Sequence, residues 1–273
     1  MLETKDKVNP QRRHRADRPS AGVVNRCRLR LQLHAAEWAR VARVVWCALA
    51  VIVLALFGVG APVWWQQLRS VCFEPTCLPF AVRAHSVGLP VDALASYFVL
   101  LDGLDVLGYL AVSALLIWRK PDDPVALLAS FALLLFGGAS QSDSVQVLVS
   151  SGTALSGSVR ELSTVGIVGM GILFCIFPDG RFVPRWTLGA SAVLAGLAGT
   201  GALLPDTWLD MQTWPPPVSL SVASVIFLAQ VYRYRRVSNP SQRQQTRAVV
   251  LGLMLGLVVD YGLPVASEPG AAL

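Results

Sequence analysis

The chain has 273 residues, of which 54% are hydrophobic and 15% charged. A soluble domain carries about a quarter charged residues, so the composition excludes an ordinary water-soluble fold and points to a membrane protein. The net charge of +6 does not imply nucleic acid, because the excess sits in the N-terminal tail and between apolar stretches, where topology and anionic lipid account for it.

Residues 1–43 are polar and rich in Arg. Gln11-Arg12-Arg13-His14-Arg15 looks like a twin-arginine export signal, but such signals run almost directly into their apolar core, and here about thirty residues intervene. The tail is expected to be disordered or to lie on the membrane surface, with Leu29, Leu31, Leu33 and Trp38 as weak anchors. Seven apolar stretches follow, at 44–61, 94–118, 125–145, 161–177, 187–204, 217–232 and 248–263. A span needs roughly 20 apolar residues, and the shorter stretches with Gly and Ser suit the inside of a bundle better than open lipid.

The first stretch carries no charge between Val44 and Ala61, and the loop after it holds Cys72 and Cys77. The second ends at Arg119-Lys120, and Pro121 and Pro124 on either side of Asp122-Asp123 stop one helix and start the next. The third is apolar to Phe136 and then grades into Gly, Ser and Gln. The fourth ends at Phe177, where Pro178-Asp179-Gly180-Arg181 forms a tight turn with Asp-Gly supplying a left-handed position. The fifth is rich in Ala and Gly, Pro215-Pro216-Pro217 leads stiffly into the sixth, and the segment Arg233 to Arg247 separates the sixth from the seventh. The expected organisation is a basic tail at 1–43, an all-α transmembrane bundle of about seven spans at 44–264, and a short outer tail at 265–273.

Charge sets the orientation. With the N-terminus cytoplasmic, all but Arg69, Arg83 and Arg160 of the 23 Lys and Arg residues fall on cytoplasmic segments, as the positive-inside rule requires. Trp46, Trp118 and Trp186 then lie at inner span ends, and Trp64, Trp65, Trp208 and Trp214 at or beyond outer ones, the headgroup level that indole favours.

Three groups of residues could carry chemistry. Cys72 and Cys77 sit on an outer loop, an oxidising location, with Pro75 between them favouring the bend of a small disulfide ring. Free thiols, metal ligands without partners or a redox-sensing bridge fit the same spacing. Asp102 and Asp105 lie within the second span, three apart and therefore on neighbouring positions of one helix face, and Asp260 lies in the seventh. Intramembrane acids suggest a proton or cation site, or else acids facing a vestibule or hydrogen-bonded to Ser or Tyr of another span. The third group is the run Arg233 to Arg247, which contains Asn239-Pro240 and Gln242-Arg243-Gln244-Gln245-Thr246. His14, His34 and His85 form no metal-ligand pattern, and no phosphate-binding loop is present, so neither metal nor cofactor is expected.

The close Cys pair, Trp118-Arg119-Lys120-Pro121-Asp122-Asp123-Pro124, Phe177 through Trp186, and Arg236 through Thr246 together resemble the multi-span N-terminal sensor region of actinobacterial and chloroflexi-type sensor histidine kinases, over about residues 45–263. The resemblance implies an integral sensor module of the bacterial plasma membrane. Asp179, Gly180, Arg181, Arg236, Gln242, Arg243 and Gln244 would be its cytoplasmic loop residues, and its partners membrane lipid and a cytoplasmic or membrane signalling protein. In that family a further span and a kinase region follow, and this chain stops after the seventh stretch, so no catalytic residue carries over and no enzyme is expected. An orphan or truncated sensor is the leading expectation. A small transporter or channel subunit using Asp102, Asp105 and Asp260 is the alternative, and a lipid-modifying enzyme ranks last. A reporter fused after Leu273 is expected to be active only outside the cytoplasm; activity inside would break the seven-span map.

Overall fold

The computed structural model describes residues 21–70, 90–177, 180–204, 207 and 214–236. The chain divides into two units, residues 1–44 and 45–273. In the first, the described residues are helical from Ala21. All regular structure in the described residues is helical: α1 (Ala21–Ser70), α2 (Val91–Arg119), α3 (Pro124–Leu135), a π-helical segment (Phe136–Ser140), α4 (Asp143–Ser150), α5 (Ser156–Ile176), α6 (Trp186–Leu203) and α7 (Pro216–Arg236).

Helix α1 starts well before the expected boundary at Val44 and continues past Ala61. No Gly or Pro occurs between Val23 and Phe57, and Ala, Arg and Leu favour a helix whether or not lipid surrounds it. Within the second unit, Trp46, Ala50, Val53, Leu56 and Gly60 are buried, a stripe at helical spacing. Its partners descend α2 as the stripe climbs α1. Trp46 and Ala50 meet Ile117 and Leu134, and Val53 meets Val106 and Leu135. Beyond them Trp65 Nε1 donates to Ser96 Oγ at 3.1 Å. The two helices are therefore antiparallel. Ser130 Oγ of α3 donates to the Ser113 carbonyl of α2 at 2.9 Å, tying the next helix to the pair.

The Pro-flanked tetrad acts as expected. Helix α2 ends at Arg119, and α3 opens with Pro124 in its first turn and the Asp123 carboxylate accepting from Val125 N–H at 2.9 Å. The third stretch departs from a single span. Phe136-Gly137-Gly138-Ala139-Ser140 is π-helical, and Ser142 then caps a new helix, α4, bent from α3 by 60°. The physical reason lies in the run itself: two glycines weaken the α-helix, and Ser142 offers a cap from which a helix restarts. Leu56 of α1 and Val159 of α5 bury Val145 and Leu148 of α4, so the short helix is enclosed by its neighbours.

Helix α5 packs against the bent pair of α3 and α4. A Cβ at Gly166 would come within 2.7 Å of Leu135 C and Phe136 N, so glycine permits backbone contact where the π segment begins. At Gly171 a Cβ would meet Leu194 of α6 and Ile226 of α7, which places both later helices against α5.

The seven-span expectation is met in part. Among the described residues, three helices are long and apolar enough to cross a membrane, Glu37–Arg69, Val91–Arg119 and Ser156–Ile176, and a fourth is counted if the bent pair is one span. The apolar part of α7, Ser221–Tyr232, is shorter. The stretch 248–263 lies outside the described residues.

A matched pair of substitutions tests the packing of α1 on α4. A Cβ at Gly60 would collide with the backbone carbonyl of Ser144, whereas one at Gly58 meets nothing within 4 Å. We expect Gly60→Ala to destabilise the fold by about 1–3 kcal/mol, read as a lower thermal midpoint in detergent. Gly58→Ala should leave the midpoint unchanged or raise it. Equal effects would show that α1 and α4 do not touch there.

Candidate functional site

A helix that breaks inside a membrane bundle exposes backbone groups that lipid cannot satisfy. In this protein the break between the π segment and α4 is answered by side chains of α2 and α5, together with those of Ser142 and Gln146 at the break itself. Asp102, half-buried on α2, presents Oδ2 to the start of α4, where it accepts from Ser142 Oγ at 3.1 Å and from the Ser144 backbone N–H at 2.9 Å. Ser142 Oγ in turn accepts from Val145 N–H at 3.3 Å. Ser142 and Ser144 are both fully buried. The Asp102 side chain thus supplies an acceptor for one of the N–H groups that the first turn of a helix leaves without an intrahelical partner.

The other side of the break is satisfied by Gln146 and Ser163. Gln146 Nε2 donates back to the Ala139 carbonyl at 2.6 Å and to Ser163 Oγ at 2.8 Å. Ser163 Oγ donates to the same carbonyl at 2.9 Å, and Ser140 Oγ donates to the Ser163 carbonyl at 2.8 Å. The π-type bond from Gln141 N–H to the Phe136 carbonyl, at 2.9 Å, completes the segment. One group stays open: the Ser144 hydroxyl is buried with no hydrogen-bond partner among the described residues.

This geometry separates the two acids that the sequence pairs. Asp102 turns toward α4, while Asp105, three residues on, is exposed on the outside of α2. Asp102 is therefore a holding group for α4 in this structure. Among the described residues no group of three or more His, Cys, Asp and Glu could hold a metal ion.

Around the site, the two ends of the bundle differ. At one, Trp46 and Trp118 meet edge to face with ring centroids 5.3 Å apart. At that same end Gly180, with φ of +71°, sits against Val125 at the start of α3. That φ is the left-handed geometry that the Asp-Gly pair implies, and Gly180 N–H reaches the Ile176 carbonyl at 2.9 Å. Arg181 beside it is exposed. At the other end Arg69 pairs with Asp92 and lies over the Trp65 ring, 4.3 Å from its centroid. These groups join the end of α1 to the start of α2.

Of the sequence candidates, Cys72, Cys77, Asp179, Asp260, Gln242, Arg243 and Gln244 lie outside the described residues. Arg236 is the last residue of α7. Reasoning from the sequence passed over Ser142, Ser144, Gln146 and Ser163. The pattern Ser142-Asp143-Ser144 ahead of Val145 carries a helix-start signal that could have marked the break. Its pairing with a residue 40 positions earlier has no local signature.

We expect Asp102→Ala to raise amide hydrogen exchange across residues 143–148 by about 5–30-fold, the equivalent of one or two kcal/mol of lost hydrogen bonding. Residues 166–173 of α5 should be unaffected, and Asp102→Asn, which keeps an acceptor oxygen, should lie between. An unchanged α4, or a uniform rise in both helices, would mean that Asp102 does not hold α4. Comparison with protein-family models, with curated proteins and with solved structures returned no match to this chain.

Proposed function

We propose that the chain is a multi-pass sensor-type module of the bacterial plasma membrane, without catalysis of its own, in which the broken third span is the movable part. The observation that carries this is the hold of Asp102 on the start of α4. A short helix joined through a π segment and clamped by one carboxylate has two discrete arrangements, clamped and released. A signal acts on such an element by binding the two unequally. Interruptions of the α-helix by π segments are frequent at functional sites.

In this proposal the bundle has seven spans and a cytoplasmic N-terminus. Arg119, Lys120 and Arg181 flank the end where α2 stops, α3 starts and α5 stops, and the opposite end holds Arg69 and Arg160. The more basic end faces the cytoplasm. Residues 118–124, 177–186 and 236–246 add their resemblance to the membrane region of sensor histidine kinases, and a separate signalling protein reads the Arg233–Arg247 segment.

The test uses inside-out vesicles carrying the wild type or Asp102→Ala. Releasing α4 should change the rate of tryptic cleavage within Arg233–Arg247 severalfold, with no proton or sodium flux in either protein. Unchanged cleavage would remove the coupling and with it the sensor proposal. A discontinuous helix beside an intramembrane acid also favours a second function, a small transporter, since transporter sites are built from such helices. That function requires a flux in proteoliposomes that Asp102→Asn abolishes.

A further inference from the structure

The bonds at the break are unevenly shared. Both hydrogen bonds to the Asp102 carboxylate fall on one oxygen, Oδ2, from Ser142 Oγ at 3.1 Å and from Ser144 N–H at 2.9 Å. Beside it the Ser144 hydroxyl is fully buried with no hydrogen-bond partner among the described residues. Only the χ1 torsion of Ser144 separates that hydroxyl from the carboxylate its own N–H already reaches. An ionised carboxylate only accepts hydrogen bonds, a protonated one also donates, and a hydroxyl does both. Ser142 Oγ is already committed, giving to Asp102 and taking from Val145 N–H. A proton added at Oδ1 therefore finds its acceptor in Ser144 Oγ, while Oδ2 keeps the two bonds that hold α4.

The surrounding elements bring little else to meet the carboxylate. Helix α1 has no Lys, Arg or His from Val44 to Leu68, α2 has none from Val91 to Trp118, and α3, the π segment and α4 have none. Near the start of α5 lie Arg160, which has an interaction of its own, and Glu161. The nearby acids, Asp105 on α2 and Asp143 on α4, are exposed, and Tyr109 of α2 packs on Gly137. No cation pairs with Asp102 among the described residues. A proton is the smallest ion that neutralises a carboxylate in a membrane interior, and acids placed there serve as proton relays. Asp102 is half-buried, which leaves its carboxylate open to exchange, whereas Ser144 is enclosed.

We propose that Asp102 and Ser144 form a binding site for a single proton, carried on Asp102 Oδ1 and donated in a hydrogen bond to Ser144 Oγ, with α4 held through Oδ2 throughout. The proton comes from solvent and returns to it, and no other bond is made or broken. This rests on the hold of Asp102 on α4 that carries the proposed function, and not on the sensing role.

The test is infrared difference spectroscopy, between acid and alkaline buffer, of the full chain in phosphatidylcholine vesicles with isotope-labelled aspartate carboxyls. We expect a protonated-carboxyl band that is lost in Asp102→Asn and moves to higher frequency in Ser144→Ala, because an O–H group without an acceptor leaves a stiffer carbonyl. Amide hydrogen exchange across residues 143–148 should be unchanged in Ser144→Ala, since the group that Asp102 holds there is backbone. The Ser144 hydroxyl makes no described bond, so Ser144→Ala carries the test by itself should Asp102→Asn fail to fold. A band that survives Asp102→Asn unchanged, or one that Ser144→Ala leaves in place, would overturn the proposal. The expected shift in Ser144→Ala, found together with unchanged tryptic cleavage in Asp102→Ala, would support the proton site and remove the sensor proposal alone.

Discussion

A polypeptide that interrupts a helix inside a membrane must find partners for the backbone groups it frees, because lipid offers none. The arrangement of this protein follows from meeting that requirement once, between Phe136 and Asp143. Asp102 and Ser142 serve the N–H groups at the start of α4, Gln146 and Ser163 serve the Ala139 carbonyl of the π segment, and Ser140 donates from that segment to the Ser163 carbonyl of α5. Asp102 comes from α2, Ser163 from α5 and the other groups from the break itself, so satisfying the break fixes α2, α4 and α5 against one another. With α4 in place, Val145 and Leu148 complete an apolar cluster with Leu56 and Val159. The polar and apolar contacts thus support the same placement, and neither would hold the short helix alone: α4 has only eight residues, below the length at which a helix persists by itself.

Small residues set how closely this can be done. The Gly60 and Gly166 positions lie against backbone, of Ser144 and of Leu135 and Phe136 respectively. These are the points where α1 and α5 come closest to the bent pair of α3 and α4. Association of helices in lipid gains little from burying apolar side chains, since the tails are equally apolar, so close backbone approach and internal hydrogen bonds carry more of the fold than they would in water. The ends of the bundle are held differently, by aromatic and charged groups of the kind that favour the headgroup region: Trp46 with Trp118 at one, Trp65, Arg69, Asp92 and Ser96 at the other.

Much of the helical outline was legible in the sequence. The uncharged run from Val44, the proline-flanked Asp122-Asp123 and the Asp-Gly turn each state a local preference that nothing in the fold opposes. The break in the third apolar stretch was half legible. Its loss of hydrophobicity after Phe136 was visible, but whether a helix frays, ends or restarts there depends on partners elsewhere in the chain. The pairing of Asp102 with Asp105 was legible only in part for a related reason. Helical spacing says that two residues are neighbours on a surface, not which way that surface faces, and here a rotation of about 60° between them separates a group turned toward α4 from one turned outward. The span count is the remaining difference, since length and apolarity identify three or four candidate spans among the described helices and leave α6 and α7, whose apolar part is short, to be judged by their packing on α5.

The distance in sequence between Asp102 and Ser144 has a consequence for how the chain enters the membrane. Ribosomes add about 5–20 residues per second, so α2 emerges roughly 2–8 s before the helix start that its carboxylate will hold. During that interval the Asp102 carboxylate still lacks α4, and when α2 crosses a bilayer that costs about 3 kcal/mol on the insertion scale, offset by its leucines and by an antiparallel partner, α1, already made. The hairpin of α1 and α2 is therefore the assembly intermediate that the biosynthetic order dictates. The arrival of α4 turns a liability of that hairpin into its lock.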